Sequence, residues 1–447
     1  MGSQLRLANT TSTIHKSVDL FTSPRQLTDF EDHNIVRYDP TTKGSSSAKF
    51  LLGSGNGSEY MAMHLARLYV AVRIVANDGS DVDDSAEKVL PINGIFSLFS
   101  QVDVEMNSTL ISDQTRHHPY SNMFDTLFNY NGNGQSGKLE CMGFYKDTAH
   151  QHNSLASLDG YALNKGHQQR WNSTKGSRLW ELEGPIGVDV LTSRRLVLNS
   201  VKIKLDFHYS SPEFYLMADT EGKKYKFVIH DMCLHVPHVK LSSAVMLSHE
   251  AQLASESALY PFMHKQFTGH TIEQNSLTSR AYNLFQGMLP NMIVVALVDD
   301  RAYNGDLKFN PYEFGHFGVR EIDVRVGSKL LNAVRVQLDL VDAADMKYVE
   351  AYGYLLSALR KWTGNDGSMV GRSDFIGGYT LFVYDLENGF ADEENYPAFT
   401  TGSVHIDFKF SSKRDHEIQA VICGYYRTIN VIDGSRRVVF PLPEPVL

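Results

Sequence analysis

Two stretches of the chain, QVDVEMNSTLI (Gln101–Ile111) and EIDVRVGSKLL (Glu321–Leu331), carry one pattern. Apolar residues alternate with polar ones in both: Val102, Val104 and Met106 in the first, Ile322, Val324 and Val326 in the second. A side-chain period of two is that of a half-buried strand. A turn-prone pair follows each, Asn107-Ser108 or Gly327-Ser328, as a tight hairpin requires. One hairpin constrains little. Two with the same surroundings, in the same order, commit the chain to a doubled fold.

The surroundings do repeat. A strong strand precedes each hairpin, ARLYVAVRIVA in the first half and NMIVVALVDD in the second. A helix follows each. Phe124, Leu127 and Phe128 stand at i, i+3, i+4. Tyr348, Tyr352, Leu355, Leu356, Leu359 and Trp362 make a longer stripe, with Gly364 placed to cap it. Further on, SVKIKLDFHYSS resembles SVHIDFKFSS if two residues are skipped, matching Val201, Ile203, Phe207 and Tyr209 to Val404, Ile406, Phe408 and Phe410. Each is followed by a last alternating strand, Lys224–Leu241 and Ile418–Asp433. The Ser/Ala-rich stretch KLSSAVMLSHEAQLASESALYPF between the halves predicts a linking helix.

At 447 residues the chain suits two domains of about 200 residues rather than one core. A β-rich unit of that size with long loops and one helix fits a sandwich, and late strands that return beside early ones favour a jelly roll. The expected fold class is all-β: two tandem eight-stranded jelly rolls with short helices in loops. The expected limits are an N-terminal arm at 1–26, lobes at 27–243 and 244–434, and an extended tail at 435–447. That tail, SRRVVFPLPEPVL, has three prolines that oppose helix.

Net charge is −9 with no basic block, which opposes tight nucleic-acid binding, since phosphate neutralisation needs clustered cations. Arg6, Lys16 and Arg25 against Asp19 leave the arm mildly basic, enough for weak, nonspecific contact with DNA. The three cysteines, Cys141, Cys233 and Cys423, fit no metal spacing and suggest reduced thiols and maturation in cytosol or nucleus. The start MGSQLRLANTT has no signal-peptide core, and Arg6 stands where a myristoylation signal has Ser or Thr. The run MIVVALV is far too short to span a bilayer.

The stretch VLPINGIFSLFSQVDVEMNSTLISDQTRHHPYSNMFDTLFNYNG, followed by FYKDTA, resembles the double jelly-roll major capsid proteins of Polinton/Maverick elements, adintoviruses and their copies in invertebrate genomes. So do SVDLFTSP, GSGNGSEYM, LPNMIVVALVDDRAYNGDLKFNPYEFGHF and GGYTLFVYDL, in order from Ser17 to Asp433. The pair His117-His118 departs from those relatives, which are less basic there. The resemblance implies a structural subunit of an icosahedral double-stranded DNA virus shell, with no enzymatic activity. It implies a homotrimer whose two lobes per chain give a pseudo-hexameric outline able to tile facets. Neighbouring capsomers and penton or minor capsid proteins are the implied partners, and the virion, assembled in host cytoplasm or nucleus, the implied location. The rival readings are a secreted two-domain β-sandwich that binds or hydrolyses carbohydrate, and a minor or vertex capsid protein of the same lineage.

No motif commits the chain to chemistry. GNGQSGK (Gly132–Lys138) nearly matches a phosphate-binding loop, but Leu139 replaces the Ser or Thr that holds magnesium. The acidic run NDGSDVDDSAE (Asn77–Glu87) lacks the alternation and Gly of a calcium loop and reads as a solvated connection. His117-His118, His150 with His152, and His235 with His238 lack the Cys or carboxylate that would complete a metal set, and read as structural or interface histidines. At subunit contacts they would make assembly pH-sensitive. Catalytic residues, metal ligands and cofactors are therefore expected to be none.

Overall fold

The computed structural model describes Ser17 and residues 29–439, except 54–56, 85–86, 156–162, 221, 328, 331–337, 339–346, 363–366 and 388–399. The arm at 1–26, Ser17 apart, and the tail from 440 onward lie outside the described residues.

The first half contains β1 (Phe30–Tyr38), β2 (Ser47–Leu52), β3 (Arg67–Ala76), β4 (Phe99–Met106), β5 (Thr109–Leu110), β6 (Trp180–Pro185), β7 (Ile203–Tyr209) and β8 (Tyr225–Leu241). The second contains β9 (Ala258–Ile272), β10 (Thr278–Met288), β11 (Met292–Asp299), β12 (Val319–Val326), β13 (Lys329–Leu330), β14 (Leu381–Asp385), β15 (Thr401–Phe410) and β16 (Ile418–Ile432). The first half forms sheets of order β1-β8-β3-β6 and β2-β7-β4-β5. The second forms β9-β16-β11-β14 and β10-β15-β12-β13. Each second-half order is the first-half order with every label advanced by eight. Shorter strands add fringes, such as Glu59–Met61 beside β8 and Val438–Val439 beside β16. Two packed antiparallel sheets with late strands returning between early ones make each half a jelly roll, so the chain is a double jelly roll.

The repeated hairpins are β4-β5 and β12-β13. Asn107 and Ser108 both adopt positive φ (45° and 70°), the mirror-image turn whose twist matches the strands it joins. Gly327 sits at φ 57° in the equivalent place, where a residue without a Cβ is unstrained. Val102, Val104 and Met106 are buried, as the alternation requires. They meet Phe207 and its neighbours across the sheet, with the Phe207 ring 5.1 Å from Phe99 and 5.5 Å from Phe50.

Two expectations need correction. Ladder register aligns β7 with β15 without any gap. Ile203 pairs with Met106 and Val404 with Val326, each just before the turn, so Ile203, Leu205, Phe207 and Tyr209 match Val404, Ile406, Phe408 and Phe410. Val201 lies before the strand. The second difference concerns helices. The main ones are α1 (His118–Asn129), α2 (Lys165–Thr174), α3 (Ser243–Leu253) and α4 (Val349–Ala358). Helix α4 stops short of Trp362, which is 65% exposed, and Gly364 lies outside the described residues. Arg360 takes the left-handed conformation (φ 56°) instead, while Arg360 and Lys361 donate N–H to the Ser357 and Leu356 carbonyls. That closing pattern ends a helix through backbone hydrogen bonds alone, so no glycine was needed.

Helix α3 lies where a linking helix was expected, between β8 and β9. Beyond β16 the chain turns through Asp433–Arg436, and Val438–Val439 pairs back onto Ile432 and Val431. The buried apolar residues of both halves form one connected cluster.

The seam between the lobes as a candidate assembly surface

Helix α1 belongs to the first lobe in sequence and packs against both lobes, on β4 of its own and against Phe267 of the other. Tyr120, Met123, Phe124, Leu127 and Phe128 are buried at helical spacing, and Pro119 in the first turn lacks only a donor that no helix start can use. The Phe124 ring lies 6.1 Å from Phe267 on β9 and 5.6 Å from Phe314. Tyr120 lies against Tyr303 and Tyr312. His117 stacks on Phe267 at 5.0 Å, and its Nε2 is 3.0 Å from the Tyr303 hydroxyl. The Leu127 carbonyl accepts hydrogen bonds from the Met369 N–H and the Ser368 hydroxyl.

Charge crosses the same seam. Lys265 Nζ donates to Asp125 Oδ2 at 2.5 Å and Ser121 Oγ at 2.9 Å. Asp189 Oδ2 receives the Lys265 N–H and lies 2.9 Å from His264 Nδ1. Burial opposes the Lys265 charge, but Asp125 and Asp189 outweigh it and raise its pKa. Burial likewise opposes ionisation of Asp189, yet the hydrogen bond to His264 and the charge of Lys265 bring its pKa below the ordinary carboxylate value. Burial alone dominates at the two histidines, pushing His117 down to about 4 and His118 down to about 3.

A second polar knot lies deeper. Arg170 on α2 is fully buried and donates to the carbonyls of Pro91 and Tyr145, to Asn93 Oδ1, and to Asp147 Oδ1 at 2.7 Å. Asp147 Oδ2 accepts from Asn93 Nδ2 and from Asn310 Nδ2 of the second lobe, both at 3.1 Å. The Asp147 N–H donates to the Tyr379 hydroxyl at 3.0 Å. Burial works against the Asp147 charge, but Arg170, His167 and His152 overrule it and hold the carboxyl at about 2. Burial lowers His152 and His167 to about 4. The His152 ring stands edge-on to Tyr379 at 4.8 Å, and a Cβ at Gly378 (φ 111°) would lie 2.4 Å from it, so only glycine fits there. A buried ion pair held by this many donors and acceptors from both lobes specifies one geometry, and here it specifies how the lobes meet.

The other candidates scatter. His150 turns at φ 62° and donates its N–H to Gly377. His235 faces Glu183, and His238 lies between Glu59 and the Tyr38 hydroxyl. In the acidic run, Asp78 holds Ser80 and Asp81 meets Arg73, while Glu87 turns inward to Tyr225 and Lys223. Leu139, after GNGQSGK, is fully buried. Among the described residues no group of three or more His, Cys, Asp or Glu is arranged to hold a metal, and no helix is long and apolar enough to cross a membrane. Cys141 is exposed, Cys233 and Cys423 are buried, and all three are free thiols. Arg170, Asp147 and Lys265 were not singled out from sequence. The usable signal was polar: Gly166, His167, Arg170, Trp171 and Thr174 form a buried stripe at helical spacing behind Asn164, whose side chain caps α2.

Helix α1 lies over the β9 edge of the second lobe's β9-β16-β11-β14 sheet, with Phe124 against Phe267 and Asp125 at Lys265. Among the described residues, nothing covers the same face of the first lobe. It carries Arg37 paired with Asp231 at 3.1 Å, Arg67 with Glu183 at 3.0 Å, and Tyr69 donating to Glu181. Phe30 and Ile35 on β1 are 49% and 58% exposed. Helix α4, which follows the second hairpin in the chain as α1 follows the first, packs on β14 and leaves Val349 49% exposed.

The architecture defines a class, the tandem double jelly roll. Solved structures share it over almost the whole chain. One is a 3.5 Å cryo-EM structure of the Sputnik virophage, with TM-score 0.64, 9% identity, and coverage of 98% of this chain and 94% of that one. A second is a quasi-atomic model of the PBCV-1 virus capsid, with TM-score 0.52, 10% identity, and coverage of 95% and 100%. A third is the mavirus major capsid protein, with TM-score 0.51, 10% identity, and coverage of 98% and 96%. In sequence, the chain is 24% identical over 377 residues to the uncharacterized protein F54H12.2 of Caenorhabditis elegans, covering 81% of this chain and 85% of that protein. No protein-family model matches.

Proposed function

We propose that this chain is the major capsid subunit of a double-stranded DNA virus or virus-like element, and that three copies close into a pseudo-hexameric ring. Residues 27–243 and 244–434 are its two lobes. The fold shared with viral capsid structures supports the role, and the open face on the first lobe supports the ring. Within one chain, α1 of the first lobe seats against β9 at the edge of the second lobe's outer sheet face. In the ring, α4 of each second lobe seats on the corresponding face of the next copy's first lobe, around Ile35, Arg37 and Tyr69. Repeating one contact six times around a rotation closes the assembly. Obligate interfaces of this kind bury on the order of 2,000 Å² or more.

The function is structural, without turnover. Partners are neighbouring capsomers and penton or minor capsid proteins, with weak nonspecific contact between the arm and packaged DNA. The element belongs with the Polinton/adintovirus lineage of invertebrates, a reading supported by the nematode source of the sequence relative. Assembly takes place in host cytoplasm or nucleus. Solution mass by light scattering, with negative-stain imaging, tests the proposal. Three-chain particles with a near-hexagonal outline are expected. A chain that stays monomeric across concentration and ionic strength overturns the reading.

A further inference from the structure

Helix α3 is poorly seated for an element bridging two lobes. None of its residues is buried, Val245, Met246 and Leu253 are only half-buried, and Leu247 is 72% exposed. Between it and the lobes lies a groove of about 490 Å³ lined by Tyr60, Leu196, Leu198, Leu241, Leu253 and Tyr260 among others. Its floor is apolar, and its two tyrosine hydroxyls are already engaged. The Tyr260 hydroxyl donates to the Leu196 carbonyl and accepts from the Leu198 N–H, and the Tyr60 hydroxyl lies 3.2 Å from His249 Nδ1. A cleft of this size, in the range of small-ligand and peptide side-chain pockets, is costly to leave wet.

The chain enters the described fold at the lip of that groove. The Asp29 carbonyl accepts the Ser242 N–H at 2.9 Å, and Phe30 pairs with Leu241, which lines the groove. Just upstream runs VDLFTSPRQLT, residues 18–28, with Val18, Leu20, Phe21 and Leu27 as its apolar members. Phe21 lies eight positions before Asp29 (29 − 21), a reach of up to about 26–29 Å when extended. A segment tethered so close has an effective concentration near millimolar. Arg195 and Glu256 stand at the rim, and the segment carries Asp19 and Arg25 of opposite sign. The C-terminal segment is placed less well. Val439 pairs with Val431 on the edge of β16 opposite to β9, so β16 separates it from Leu259 in the groove.

We propose that this groove is the seat of the chain's own residues 18–28, with Leu20 and Phe21 filling its apolar floor and wedging α3 between the lobes. The seat does not depend on the capsid reading. Disulfide trapping in the full chain tests it, in a Cys141→Ser background because that thiol is exposed. The pair Leu20→Cys with Leu259→Cys is expected to close an intrachain disulfide at least ten-fold faster than a control pair of Leu20→Cys with the exposed Leu51→Cys. Equal rates overturn the proposal. Disulfides joining tagged to untagged chains also overturn it and assign the groove to a second copy's arm. Hydrogen exchange reads the same point without cysteines. Removing residues 1–28 is expected to speed exchange in α3 at least ten-fold, whereas removing 440–447 leaves it unchanged. The reverse result assigns the groove to the C-terminal segment and overturns the seat proposed here.

Discussion

Strands β1 and β9 hold the same place in identical sheets, yet one lies open and the other is buried. Six of the nine residues of β1 in succession, Phe30 to Ile35, are exposed, whereas Tyr260, Phe262, His264, Lys265 and Phe267 of β9 are buried. The strands beside them diverge in the same way. In β11 every residue from Ile293 to Val298 is fully buried, while β3 keeps Arg67, Tyr69 and Arg73 on its outer face. Topology is therefore not what distinguishes the lobes. The difference is one of neighbours. Helix α1 covers the β9 edge, and the second-lobe segment at Phe314 and Gly315 and helix α4 lie against β11 and β14, whereas among the described residues nothing covers the matching face of the first lobe. Sequence has adapted accordingly, with Val, Ile and Leu where the face is always covered and paired charges where it stands open. Interfaces that form after folding keep such a polar character, since the free chain must remain soluble.

The largest effect on stability is expected from Arg170→Ala. It strands the Asp147 carboxylate in the interior, which costs about 3–5 kcal/mol, and denaturant unfolding should show a matching fall in midpoint. A loss below about 1 kcal/mol would mean that the knot does not organise the seam. Next comes the matched pair across the comparison. Phe267→Ala on β9 removes the ring that His117 and Phe124 pack against and should cost about 3–5 kcal/mol, while Ile35→Ala on β1 should stay within about 0.5 kcal/mol in the isolated chain. Equal losses would break the asymmetry between the lobes.

The third effect is on pH dependence. His117, His118, His152 and His167 sit at about 4, 3, 4 and 4, below the roughly 6.5 of a free histidine. Between those limits the unfolded chain binds more protons, so stability rises with pH. It is complete above about 6.5 and is lost as pH falls through about 4. Guanidinium midpoints from pH 7 to 4 should fall, and His117→Gln should flatten part of the slope; an unchanged slope would remove His117 from the seam's titration. The smallest effect on folding and the sharpest on assembly belongs to Ile35→Asp. The monomer's melting temperature should hold while three-chain particles disappear from light scattering. Trimers that survive this change would place the contact elsewhere.

Much of this was legible before any coordinates. The doubled hairpins, the strands before and after them, the helix carrying Phe124, Leu127 and Phe128, and the helix between the lobes all follow from periodicity and turn chemistry. These are local signals, set by which face of a strand or helix must be dry. The seam was not legible, because Lys265 and Asp125, or Arg170, Asp147 and Asn310, are brought together across loops and lobes by packing alone. The gap assumed in aligning Ser200–Ser211 with Ser403–Ser412 failed for a related reason. Composition matched the wrong valine, and only hydrogen-bond register against β4 and β12 chose Ile203.

Sequence by itself determined that this protein is one β-unit written twice, because alternation of period two and turns at Asn107-Ser108 and Gly327 are properties of a few consecutive residues. Only tertiary structure decided which of two equivalent sheet faces is covered, and that α1 bridges its own lobe and the other. Covering a face depends on where a distant helix comes to rest, and no local pattern records the position of a neighbour.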